Sequence, residues 1–168
     1  MFPMQTKELL VTALQQSYGL VMPLLEDLKS APLVAPTPKG GNHAHWILGH
    51  LVVSDGQFRA MMRGIANPVE QLTPLFGGGS TPEPKGNNYP SYEELLTKLV
   101  NLRHETMAWL ESLTENDMDQ PSKVIPPGFE AFFGTWRSCL LMQAMHWMNH
   151  RGQLADCRRS AGRDPMMV

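Results

Sequence analysis

The strongest constraint in this chain is periodic. Four stretches of roughly 20 to 27 residues repeat apolar side chains every three or four positions, with proline or glycine flanking at least one end of each. The first covers residues 6–30, where Leu10, Ala13, Leu14, Val21, Leu24, Leu25 and Leu28 recur at helical spacing. Thr6 suits its N-cap and Pro32 follows its end. Pro23, one turn after Gly19, predicts a kink, because proline lacks the amide donor and crowds the preceding turn. The second stretch covers 43–64, with Asn42 as N-cap. The third covers 91–113, where Ser91 and Glu94 have capping-box spacing and Leu95, Leu99, Leu102, Thr106, Trp109 and Leu113 form an inward seam. The fourth covers 135–161 and stops at Gly162. No strand-period alternation competes with these. Four amphipathic helices bury their apolar faces only against one another, so an all-α antiparallel four-helix bundle is expected, as one domain over 1–168.

Two connections are long. Residues 67–90 contain Gly77, Gly78 and Gly79 with several prolines, and 114–134 contain Pro121, Pro126, Pro127 and the aromatic set Phe129, Phe132 and Phe133. Loops of this length carry function or move. The second leads into the fourth helix, so its aromatics are expected to wall a pocket.

Charge narrows the function classes. The net charge is −2, only 18% of residues are charged, and no block of like charge occurs, so nucleic acid is not an expected partner. No apolar run reaches the ~18 residues of a membrane span, and the first residues lack the basic and apolar regions of a signal peptide. Cys139 and Cys157 fall on one helix, about 27 Å apart along its axis at ~1.5 Å per residue, too far to pair. Together these point to a reducing, cytoplasmic setting.

The chemistry concentrates in His146-Trp147-Met148-Asn149-His150. Positions i and i+4 share a helical face, so the two imidazoles either grip one metal ion from the same side or are two ordinary histidines. His50, flanked by Ile47 and Leu51, should point inward, either as a third ligand or as a hydrogen-bonded core histidine. His104 faces away from its helix seam, and His43 and His45, in the first turn of the second helix, either line a pocket mouth or, as expected here, stand at the surface. Gln153 or Asn149 could hold a ligand imidazole, whereas Cys139 is about 10 Å from His146 along the axis and is not assigned as a ligand. Asp55 is the nearest acid to His50 on that helix but is poorly angled, and no general base is assigned.

Two motifs carry a resemblance. Asn42-His43-Ala44-His45-Trp46-Ile47-Leu48-Gly49-His50-Leu51 resembles the second-helix motif of the DinB-like family. His146-Trp147-Met148-Asn149-His150-Arg151-Gly152-Gln153-Leu154 resembles that family's His-x-x-x-His-Arg-Gly-Gln-Leu signature, and the tail from Cys157 to Pro165 continues the similarity. The resemblance implies a DinB-like bundle with His50, His146 and His150 as ligands of a divalent metal, typically zinc or nickel. It further implies a homodimer, and an activity such as hydrolysis or transfer using a low-molecular-weight thiol on a small-molecule substrate. The alternative is a metal-containing binding or stress-response protein without turnover. The long glycine-rich loop after the second helix departs from the family pattern.

Overall fold

A computed structural model describes residues 5–166. The elements are α1 (Thr6–Leu28), α2 (Ala44–Arg63), α3 (Thr73–Phe76), α4 (Tyr92–Glu111), α5 (Glu130–Phe133) and α6 (Trp136–Ser160), with no strand among the described residues. The four long helices are those expected from periodicity, each end within about two residues of the expected one, and the single turns α3 and α5 lie inside the two long loops.

The caps differ in detail. Gln5, not Thr6, caps α1, and its backbone N–H donates to Glu8 Oε2 at 3.2 Å. His43, not Asn42, caps α2, with Nδ1 accepting the Trp46 backbone N–H at 3.2 Å. Asn42 is used elsewhere: its amide donates to Gln153 Oε1 on α6. Ser91 caps α4 as expected, accepting from the Glu94 N–H. Gly64 ends α2 at φ 67°, a left-handed conformation that an L side chain rarely adopts. Pro23 lies within α1, which continues through it as one helix.

Side-chain pairs fix the helix directions. Thr6 meets Arg137, Tyr18 meets Trp147 and Asp27 meets Arg158, so α1 and α6 run parallel. His45 meets Tyr92, Asp55 meets Arg103 and Arg59 meets Glu105, so α2 and α4 also run parallel. Between α2 and α6 the order reverses: Asn42 meets Gln153, His50 meets His146, and Phe58 meets Cys139. The antiparallel relation therefore holds between the two pairs and not within them. Residues 64–91 must travel the length of the molecule because α2 and α4 start at the same end, whereas the segment between α4 and α6 returns at the end where it began.

Two apolar clusters fill the interior. One joins Leu10 and Leu14 to Phe58, Met62, Leu110 and Leu140, and the other joins Leu25 and Leu28 to Ile47, Leu51, Leu99 and Trp147. Each fully buried leucine contributes about 1.5–3 kcal/mol by leaving water. A buried polar layer ties all four long helices together. Asp55 Oδ1 accepts the Trp147 indole N–H at 2.8 Å, Asp55 Oδ2 pairs with Arg103 at 3.2 Å, and the Arg103 guanidinium lies 4.0 Å over the Trp147 ring. Tyr18 stacks on Trp147 from α1. Among the described residues no helix is long and apolar enough to cross a membrane.

Candidate metal centre

Helical spacing brings His146 and His150 to one face of α6, and the antiparallel neighbour α2 supplies His50 opposite them. His50 Nε2 and His150 Nε2 each lie 3.1 Å from His146 Nε2. One nitrogen from each of the three rings lies within 4.8 Å of the other two.

The outer nitrogens set the tautomers. His50 Nδ1 is 2.7 Å from the Phe76 carbonyl, which can only accept, so Nδ1 carries the proton and Nε2 presents a lone pair. Gln153 Oε1 accepts from Asn42 and lies 3.2 Å from His150 Nδ1, so His150 is protonated there and its Nε2 also presents a lone pair. His146 Nδ1 is buried with no hydrogen-bond partner.

This donor set fits a cation. Three Nε2 atoms converge, and at neutral charge at most one proton is available among them, so at least one pair would face lone pair to lone pair. Nitrogens tetrahedrally placed about 2.0–2.1 Å from zinc lie roughly 3.3 Å apart, close to the 3.1 Å spacings observed. Burial pushes His146 down to about 3 and His150 down to about 4, and the neighbouring imidazoles add to both shifts. Burial also lowers His50, opposed by its bond to the Phe76 carbonyl. All three are therefore held in the neutral form that ligates metal.

The loop after α2 builds the outer wall. Phe76 belongs to α3, and its ring presses on Gly49, where a Cβ would lie 2.4 Å from the ring. That contact brings the Phe76 carbonyl within reach of His50. Trp46 stacks on His50 at 4.8 Å with planes 9° apart, and its indole N–H donates to Ser80 Oγ at 3.1 Å. A cavity of about 400 Å³ opens beside His146, walled by Val53, Phe58, Met61, Pro126 and Phe133.

A model of the DinB superfamily matches residues 13–154. The chain belongs to the DinB superfamily. A search against curated proteins finds no match.

Within this DinB-superfamily chain, His104 is exposed as expected. His43 and His45 are not at the surface: they are 3% and 9% exposed. His43 Nε2 donates to the Glu83 carbonyl and His45 Nε2 to the Pro90 carbonyl, both at 2.9 Å, so these rings fasten the long loop to the start of α2. Asp55 is occupied by Trp147 and Arg103 and belongs to the core. Of the two amides considered, Gln153 holds the His150 ring, while Asn149 is exposed. Cys139 and Cys157 are buried free thiols, raised by burial to about 12 and about 11. Phe133 walls the cavity, but Phe129 and Phe132 do not and stand half exposed. The Phe76 carbonyl was invisible in the sequence, since any residue type supplies a carbonyl.

Proposed function

We propose that this chain is a divalent-metal-dependent enzyme acting on a small molecule, with His50, His146 and His150 as ligands of zinc or nickel. The convergence of three Nε2 atoms, two of them with their tautomer fixed from behind, carries this reading. Three imidazoles leave coordination open, the pattern of a catalytic rather than a closed structural site. Bound there, the ion would supply Lewis acidity, bringing a water or a thiol within reach of deprotonation near neutral pH. The chain's own part is to hold the ligand rings neutral and aimed, and to offer the adjoining apolar cavity to a substrate. Hydrolysis and transfer of a low-molecular-weight thiol both suit this arrangement. A reducing, cytoplasmic setting suits the two buried free thiols.

The test is elemental analysis of protein purified without an affinity tag or chelator, followed by a screen of hydrolytic and thiol-transfer substrates. His50→Ala, His146→Ala and His150→Ala should each lose stoichiometric metal, while His104→Ala should keep it. Full metal content in His50→Ala would remove the site. Metal without turnover on either substrate class would favour a binding protein.

We also propose a homodimer. Leu9 on α1 and Leu141, Met145 and Met148 on α6 are 40–55% exposed, an apolar set on the side where these two helices meet.

A further inference from the structure

The cavity beside His146 has a pronounced asymmetry of charge. Its inner part is apolar, formed by Val53, Phe58, Met61 and Phe133, and its polar residues are Ser54, Gln57, Thr73 and Glu70. Among the described residues no lysine or arginine lines it; Glu70 is its only carboxylate and His146 its only other ionisable group. The arginines of α2 are engaged elsewhere. Arg59 pairs with Glu105 of α4, and Arg63 lies 5.5 Å over the Trp109 ring. The Ser54 hydroxyl already donates to the His50 carbonyl at 2.6 Å, so towards a ligand it offers only its acceptor lone pair.

We propose that this cavity selects a molecule with an apolar body and a neutral or cationic outer group, and that Glu70 is the residue that disfavours anions. This rests on reading the cavity as the substrate site of the proposed enzyme, and it narrows that reading. A carboxylate or phosphate lodged beside Glu70 would meet a like charge and no cationic side chain, the proposed ion at His146 being the one positive charge bordering the cavity, whereas sites built for such groups supply arginine or lysine. An ammonium or amide N–H finds the Glu70 carboxylate and the Gln57 carbonyl as acceptors. The volume of about 400 Å³ suits a drug-sized molecule. An acidic thiol cosubstrate would therefore have to keep its carboxylates outside this cavity.

Three probes of equal body test the proposal: 4-phenylbutylamine, 4-phenylbutanol and 4-phenylbutanoate, titrated calorimetrically into metal-free and into zinc-loaded protein. Metal-free protein isolates the effect of Glu70, because a carboxylate can bind zinc directly; failure of the metal reading leaves this arm intact. Glu70 is exposed, so each charge effect is modest: the amine should bind about twofold to fivefold tighter than the alcohol, with the carboxylate weakest. Glu70→Gln should erase the difference between amine and alcohol, and Glu70→Lys should reverse the order of amine and carboxylate. High salt should shrink the spread. Equal or tighter binding of the carboxylate to metal-free protein, an order unchanged in Glu70→Lys, or no saturable binding of any probe would each overturn the proposal.

Discussion

Gly49→Ala separates the packing of the long loop from the chemistry it supports. In an ordinary helix interior this change stabilises by about 0.5–1 kcal/mol, because alanine loses less chain entropy than glycine. Here the new methyl would lie 2.4–2.5 Å from three carbons of the Phe76 ring, which is fully buried. Ordinary carbon contact is about 3.5–4.0 Å, so the ring and its backbone must move by roughly 1 Å. Overpacking of this kind costs about 1–3 kcal/mol, leaving a net loss of roughly 0.5–2 kcal/mol, or some 1–8 °C in the melting temperature of metal-free protein. The same movement draws the Phe76 carbonyl away from His50 Nδ1, now 2.7 Å distant, and releases the ring that it orients. Loss of such an outer partner weakens metal binding by about 10–100-fold. Zinc affinity measured by chelator competition, with thermal unfolding of the metal-free protein, reads both effects. Gly152→Ala is the control: nothing lies within 4 Å of a Cβ there, so it should bind zinc as the parent does. If Gly49→Ala melts no lower than the parent and binds zinc within twofold of it, α3 does not position His50.

Three further outcomes are expected. The histidines of the site are depressed in the folded state, to about 3 and about 4 at His146 and His150, so below the ordinary value of 6.5 the unfolded chain binds more protons. Metal-free protein should therefore hold its stability above about pH 6.5 and lose it progressively as pH falls towards 4; melting temperatures independent of pH across that window would contradict the burial of these rings. Asp55→Leu strands the buried Arg103 charge and should cost about 3–5 kcal/mol, while adding Arg103→Met should recover the stability apart from the roughly 1–3 kcal/mol lost with the Trp147 hydrogen bond, and should not restore the zinc affinity. Sedimentation at micromolar concentration should show a dimer that Met145→Glu converts to monomer; a monomeric parent would refute the proposed dimer.

Helix positions were legible in the sequence because burial enforces them: of the six residues read as one seam, Leu95, Leu99, Leu102 and Thr106 are buried, and Trp109 and Leu113, at and just past the end of that helix, are half-buried. Helix direction was not, since the same apolar stripe packs against a parallel or an antiparallel neighbour. At the site, the i, i+4 histidines and Gln153 were legible because one helix presents all three. His43 and His45 were misread as surface residues because their partners are backbone carbonyls of a remote loop, Glu83 and Pro90. Neither residue type nor spacing encodes such a bond. Glu70 carried no signal for the same reason: it reaches the cavity only through the path of the loop after α2.

The polar layer accounts for how three imidazoles on two helices come close enough together to share one ion. Leucine and methionine surfaces attract without direction, so an apolar interface alone tolerates small slides of α6 along α2. The Trp147–Asp55 bond does not: moving α6 by one residue shifts it about 1.5 Å and turns it about 100°, which breaks that bond and separates the histidine rings together. His146 and His150 flank Trp147 on α6, and His50 and Asp55 lie little more than one turn apart on α2, so one register satisfies both sets of contacts. Arg103, on α4, anchors the Asp55 carboxylate on α2, and a slip of α6 would also carry the Trp147 ring away from the Arg103 guanidinium. On this view the ion pair contributes little net stability and acts as an alignment device. Hence the Asp55→Leu, Arg103→Met protein should melt below the parent by no more than the loss of the Trp147 hydrogen bond, about 1–3 kcal/mol, yet bind zinc more weakly. Parent-like zinc affinity in that double variant would mean that apolar packing alone aligns the site.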